Sequence, residues 1–427
     1  MQARRHFISR LGLLAGSMAI SPLLKAEELG EITQKIKTRN PSDLLTKDEE
    51  FWQWIRQAYT VSSAVINLNN GGVSPQPSIV QEAQKRYLDL ANETPSFYMW
   101  RILDQNREPL REKLADLAGC SPEEIALNRN ATEALDTAIF GLSLQKGDEV
   151  ILTKQDYPNM IQAWKQREMR DGIHLKWINL DLPQENDEYF VQKFTKQFTA
   201  KTKIVHITHI INWTGQILPV RKIADEAHKR GIEVVVDSAH AFAHLNYKIP
   251  DLGADYFGTS LHKWLCAPYG TGMLYVKKEK IAGLYPLFPN NEPLSPDIRK
   301  FETQGTRSFP AEMATAQAID FHNLIGSARK QARLQYLKNY WIEKCLSIPR
   351  FKIHTSLKPE YACALAIFSI EGIKPEEVSN RLYNEFKIHS TAIVWENISG
   401  VRITPHVYTT LPELDKLVRA IGKLAES

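Results

Sequence analysis

From about residue 125 the chain settles into a rhythm. Short apolar runs, DEVILT, HLKWINL, KIVHITHI, IEVVVDSAHAF and TGMLYV, are separated by stretches with helical spacing, such as 220–230. Strand-like runs that alternate with helices predict an α/β domain built on a mostly parallel sheet. Ligands in such sheets bind at the carboxyl ends of the strands, and the polar residues of interest here cluster where the runs stop. Upstream, residues 27–50 are polar and charged and read as a linker, and FWQWIRQAYT (51–60) as a short amphipathic helix. INLNNGGVSPQP reads as a turn-rich loop in which Gly71 and Gly72 are free to take positive φ. A helix is expected over Ser78–Asn92. After about residue 300 the pattern changes. A long helical segment runs from Ala311 to about Lys344, followed by a strand (CALAIFSI), a helix (PEEVSNRLYNEF), a strand (GVRITPHVY) and a closing helix (LPELDKLVRAIGKLAE). The expected organisation is a leader at 1–26, an arm at 27–75, a large domain at 76–300 with a mostly parallel sheet flanked by helices, and a smaller α+β domain at 301–427.

Composition narrows the function class. With 53 basic and 49 acidic residues among 427, the chain carries a formal charge of +4. It has no long basic run, so nucleic acid has no electrostatic footprint. No apolar stretch reaches the roughly 18 residues that a membrane-spanning helix needs, so stable membrane insertion is not expected. Cys120, Cys266, Cys345 and Cys363 form no C-x-x-C pair and suggest neither a disulfide framework nor a zinc site. The histidines give no metal site either. His206 and His209 lie three apart on a strand and face opposite ways, and His240 and His244 have no acidic third ligand nearby.

The first 26 residues have a layout of their own. Arg4 and Arg5 precede Phe7, a modest apolar run extends from Leu11 to Leu24, and Ala26 follows. The pattern resembles a twin-arginine signal, which implies the twin-arginine export machinery as a partner and a periplasmic home. Ala3 and Leu24 depart from the expected residues. The competing reading is a basic tail on a cytoplasmic protein.

Two residues carry the chemistry. Asp237 ends a buried strand, and Lys263 sits in GTSLHKWLC, a run that otherwise reads as core. An amine in an apolar wall is costly unless it is paired or reactive. Pyridoxal phosphate needs a lysine for its Schiff base, an anion to keep its ring nitrogen protonated, and hydrogen-bond donors for its phosphate. Lys263 and Asp237 suit the first two needs.

In its motifs the sequence resembles the class V aminotransferase family of fold-type I pyridoxal-phosphate enzymes, most closely its isopenicillin N epimerase-like branch, over nearly everything after about residue 60. NATEAL (130–135) matches the strand-to-helix turn where Asn130, Ala131 and Thr132 hold the phosphate. DYPN places Tyr157 where the family stacks an aromatic or histidine on the cofactor ring. NWTGQILPV supplies Asn212 for the cofactor's 3-hydroxyl, and VDSAH supplies Asp237 for the ring nitrogen and His240 near the hydroxyl. GTSLHKWLC carries Ser260 and His262 for the phosphate and Lys263 for the Schiff base. QGTR brings Gly305 and Thr306, which in the family reach the phosphate across a dimer interface, so a homodimer is implied. GVRITPHVY puts Arg402 where the family binds the substrate carboxylate. Asn70 is a further substrate-binding candidate, and Arg101 in FYMWR is a candidate reader of a distal carboxylate, with an aromatic dimer patch as the plainer reading.

The resemblance therefore implies a pyridoxal 5'-phosphate enzyme, with Lys263, Asp237 and Tyr157 catalytic. Its substrate would be an amino acid, or an exported metabolite or peptide that bears an amino group. Transamination and epimerisation fit first. A kynureninase-like or β-eliminating lyase, or a binding protein on the same fold, are the alternatives. Desulfuration is disfavoured, because no cysteine lies between Phe386 and Arg402 to act as the persulfide nucleophile.

Overall fold

The computed structural model describes residues 43–426, together with residues 30, 34, 35, 38 and 39. The signal read at 1–26 lies outside the described residues. The large sheet is formed by β2 (Ile125–Asn128), β3 (Glu149–Thr153), β4 (His174–Ile178), β5 (Thr202–Thr208), β6 (Glu233–Asp237), β7 (Tyr256–Ser260) and β8 (Gly272–Val276). A two-residue strand, β1 (Ile66–Asn67), lies outside it. The order is β2-β8-β7-β6-β5-β3-β4, with β8 antiparallel to both neighbours and every other pair parallel. Mostly parallel strands need crossovers, and α5 (Pro158–Asp171), α6 (Asp187–Thr195) and α7 (Val220–His228) supply them. Before them come α1 (Glu49–Gln57), α2 (Ser78–Glu93), α3 (Arg107–Ala118) and α4 (Ala131–Gly141).

The central strands are largely apolar because both faces are covered, whereas β4 (HLKWI) at the sheet edge is partly exposed. Val234 and Val236 of β6 enter one core with Val205 and Ile207 of β5. Val235 enters the other, with Ile204 and with Ala134, Leu135 and Trp164 of α4 and α5. The chain passes close to itself at Gly272, where a Cβ would stand 2.5–2.7 Å from the backbone of Asn130. A residue without a side chain is what lets β8 run beside the start of α4.

The smaller domain has a four-stranded antiparallel sheet in the order β12-β13-β10-β9. Its strands are β9 (Phe351–Ile353), β10 (Ala366–Ile370), β12 (Thr391–Trp395) and β13 (Ile398–Ile403), and β11 (Ile388–His389) pairs in parallel with β1. Two helices precede this sheet, α8 (Phe309–Ile325) and α9 (Ser327–Cys345), and two cover it, α10 (Pro375–Phe386) and α11 (Leu411–Glu426).

Three expectations change. The helix read over Ala311–Lys344 is broken at Gly326, whose φ of +90° no α-helix accommodates. The domain boundary moves with it. Phe309, Met313 and Ala318 of α8 pack in the large-domain core, whereas Leu337, Trp341 and Ile342 of α9 pack with β10, β13 and α11. The change of core therefore falls inside α9 rather than at residue 301. The arm is also docked from residue 43 onward. Phe51, Trp52 and Ile55 of α1 are core residues, and Arg333 bonds Thr46 O at 3.1 Å and pairs with Glu49.

Candidate active site

The carboxyl ends of β5, β6 and β7, the first turn of α4 and the near edge of the small domain enclose a cavity of about 480 Å³. Thr208, Asp237 and Ser260, the last residues of those strands, all line it. The parallel register sets Thr208 directly beside Asp237.

At one end the helix N-terminus of α4 presents its amides. Asn130 caps it by accepting from Glu133 N at 2.9 Å, and Ser260 Oγ accepts from Ala131 N at 2.9 Å. As an acceptor, Ser260 keeps its own O–H for a further partner. The partial positive charge of the helix start, with Thr132 on the wall, suits an anion such as phosphate. His262 also lines this end. Its Nδ1 donates to Thr271 O at 3.2 Å, and burial lowers its pKa to about 4. The neutral ring offers Nε2 as an acceptor only, so a hydrogen bond to a phosphate requires the ring to be protonated, which a neighbouring dianion favours.

In the middle stand Asp237 and Lys263. Asp237 accepts from Ala239 N at 2.9 Å, and burial raises its pKa while the Lys263 charge opposes the rise. Lys263 Nζ lies 3.1 Å from His240 Nε2. Burial lowers its amine to about 8, a fall resisted by Asp237 and aided by Arg402. His240 is held neutral by burial, with the charges of Lys263 and Arg402 pressing the same way. Tyr157, at the start of α5, lines the cavity and is 40% exposed.

At the far side Arg402 arrives from β13. Its Nη1 donates to Asn212 O at 2.8 Å and its Nη2 to Asn69 Oδ1 at 3.0 Å. The chain passes flat against this guanidinium at Gly71, where a Cβ would stand 3.4 Å from Arg402 Cζ. Close approach, not positive φ, is what this glycine provides, since neither Gly71 nor Gly72 is among the glycines of positive φ.

Some residues singled out in the sequence do not reach the cavity. Asn70 is fully buried and spends its amide on Thr404 O (2.8 Å) and the Tyr408 hydroxyl (2.5 Å), so it ties the loop down instead of meeting substrate. Arg101 sits in an exposed π-helical turn, Tyr98–Leu103, off the cavity wall. Gly305 and Thr306 are exposed on a loop that does not line the cavity of its own subunit. Conversely, Thr208, Trp213, Thr391 and Ile393 line the wall and were not singled out. Thr208 had a signal, since it ends a strand run. Thr391 and Ile393 come from the small domain and had none. Thr208 Oγ1 donates to Asp156 Oδ1 at 2.8 Å, and burial raises that second carboxyl to about 7. His206 and His209 face apart, to Trp164 Nε1 and Ser238 Oγ at 3.3 Å each, and burial lowers each to about 3. No group of His, Cys, Asp and Glu among the described residues is arranged to hold a metal.

The model of the class V aminotransferase family matches residues 66–417. The chain belongs to the class V aminotransferase family. It is 28% identical to an isopenicillin N epimerase of Streptomyces clavuligerus, across 87% of this chain and 98% of that protein. It is 27% identical to a probable cysteine desulfurase of Synechocystis, across 76% of this chain and 82% of the relative. Among solved structures it is similar to a variant of C-DES with glycine covalently linked to its pyridoxal-phosphate cofactor. That match has a TM-score of 0.78 and 21% identity, over 86% of this chain and 98% of that one. The architecture is thus that of fold-type I, and the cofactor of this class V protein is pyridoxal 5'-phosphate.

The residues present fit that cofactor. His240 Nδ1, Asn212 Oδ1 and Arg402 Nε are buried polar atoms without a partner among the described residues, and all three side chains line the one cavity. Buried polar groups are rarely left unpaired unless a ligand completes them. Asn212 and His240 suit the cofactor hydroxyl, Asp237 the ring nitrogen, and the start of α4 with Ser260 the phosphate.

The lowered amine makes a pH prediction. If Lys263 is the amine that bonds the cofactor aldehyde, it does so only when neutral, so the rate at which apoprotein takes up pyridoxal phosphate should rise with pH and level off above about 8. Stopped-flow absorbance across a pH series spanning that value checks this, and an inflection near the ordinary lysine value of about 10.4 would contradict it.

Proposed function

We propose that the protein acts at the α-carbon of an amino-acid substrate and that its reaction is transamination. The observation that carries this reading is the meeting of Lys263, Asp237 and Arg402 in one cavity with no cysteine on its wall among the described residues. Bound there, pyridoxal phosphate draws electrons from the substrate α-carbon and so acidifies its proton. Arg402 offers Nε to the substrate carboxylate, and its two Nη atoms are braced by Asn212 and Asn69. Lys263 Nζ, with a pKa of about 8 and held in place by His240 Nε2, would take the α-proton and give it up at the cofactor's former aldehyde carbon instead of at the α-carbon. Asp237 supplies the negative charge opposite the ring nitrogen. Transamination asks for this one base. Desulfuration asks for a mobile thiolate, and Cys266 is instead buried beside His406 Nε2 at 3.4 Å.

Epimerisation is the second reading, favoured by the similarity to isopenicillin N epimerase. It requires a second proton carrier besides Lys263. Incubating holoenzyme with amino acids and 2-oxoglutarate or pyruvate, followed by mass spectrometry and chiral chromatography, separates the cases. Paired formation of a keto acid and a new amino acid is expected. Loss of optical purity without keto acid would replace transamination by epimerisation, and alanine with persulfide from cysteine would overturn both.

A homodimer and a periplasmic location belong to the same proposal. The exposed Gly305–Thr306 loop is available to a second copy. The Arg4–Arg5 pattern of the leader supports folding and cofactor loading before export.

A further inference from the structure

If the cavity does amino-acid chemistry, its remaining wall describes the substrate side chain. Beyond the groups assigned to cofactor and carboxylate, that wall includes Val73, Met160, Trp213 and Ile393, with Asn159, Thr208 and Thr391 among its polar members. Trp213 lies in the loop after β5 and Ile393 in β12, so the two domains share the surface. It is also rigid. The Trp213 ring stacks on Trp395 with centroids 5.3 Å apart and planes at 23°, and Trp395 Nε1 is anchored to Lys154 O at 2.8 Å. Ile393 is backed by Ile367 and Ile398. Apart from the indole Nε1 of Trp213, a buried donor without a partner among the described residues, this wall is apolar and gains most from an apolar partner of matching shape.

Charge points the same way. Among the described residues of this one chain, the cationic side chains free to meet a substrate are Lys263 and Arg402, since burial keeps His240 neutral and a proton on His262 would be spent on the phosphate. One serves the proton chemistry and the other serves a single carboxylate. A second carboxylate would lose its water against Trp213 and Ile393 and find no counter-charge there. Arg101, which the sequence suggested for that task, is off the wall.

We infer that the site selects amino acids with one carboxylate and an apolar side chain, branched aliphatic or aromatic, and that Trp213 is its specificity-determining residue. The inference rests on the amino-acid reading above.

Phosphopyridoxyl conjugates test it without turnover, because each carries cofactor and amino acid in one reduced molecule. Titrated into apoprotein by calorimetry, the leucine and phenylalanine conjugates should bind at least about tenfold more tightly than the glutamate and aspartate conjugates. Trp213→Ala should shrink that preference to roughly threefold or less, with the alanine conjugate changing least. Ile393→Ala, which trims the wall but keeps the Trp213 ring, should shrink it by a smaller factor. Equal or tighter binding of the glutamate conjugate would overturn the inference. So would a Trp213→Ala protein that is folded by circular dichroism and has lost affinity equally for every conjugate. Free pyridoxal phosphate is the control: if it too fails to bind wild-type apoprotein, the amino-acid reading itself falls, and this one with it.

Discussion

Lys263→Ala is expected to lower kcat by at least about 10⁴-fold, because one substitution removes both the covalent anchor and the proton carrier. The anion-binding turn at the start of α4 does not depend on that amine. Asn130 caps the helix and Ser260 bonds Ala131 N whether or not the lysine is present. The variant should therefore still bind pyridoxal phosphate, weakly and reversibly. Borohydride reduction and peptide mapping make the contrast visible: wild type carries a pyridoxyl group on Lys263, and the variant carries none. Added alkylamines should restore part of the proton transfer. Turnover close to that of wild type, or a stable adduct on another lysine, would sink the assignment of Lys263.

Asp237→Asn is expected to move activity and stability in opposite directions. The substitution keeps the shape and removes the charge opposite the ring nitrogen, so kcat should fall by about 10²–10³-fold. Without cofactor, the carboxylate is buried with one amide bond and the nearby Lys263 charge, and its pKa is raised mainly by burial. In the unfolded chain an aspartate ionises near about 3.9. Its folded form holds the proton to higher pH, so the folded state binds more protons and this group's contribution to stability falls as pH rises above about 4. The amide that replaces the carboxyl has nothing to titrate. The apoprotein of the variant should match wild type near pH of about 4 and exceed it in Tm near pH of about 7. Calorimetry of both apoproteins, with kcat measured on the holoproteins, checks the pair of signs. An Asp237→Asn apoprotein that melts well below wild type at neutral pH would mean that the carboxylate serves the fold rather than the cofactor.

The fold class was legible because it depends on period and alternation, which are local. Val234, Val235 and Val236 declare a strand covered on both faces, and the helical stretch at 220–230 declares the crossover beside it. The carboxyl-end rule then pointed at Asp237 without any coordinates. Legibility failed where the deciding fact was a distance. Nothing local distinguishes Asn70, spent on Thr404 and Tyr408, from an asparagine that faces ligand. Nothing in Gly326 announces a break in place of a tolerated helical glycine until its φ is seen.

The sequence by itself determined the mostly parallel α/β architecture, which follows from period and alternation, and it picked out Asp237 and Lys263 as candidates for cofactor chemistry by residue type and position; Arg402 was a candidate only through the resemblance to the class V family. Tertiary structure alone decided that Trp213 and Ile393, 180 positions apart by their numbering, form one wall. It also decided that His240 steadies Lys263, and that the arm from residue 43 packs as core. Contacts between residues far apart in the chain are set by how the two domains pack, and no local pattern encodes that packing.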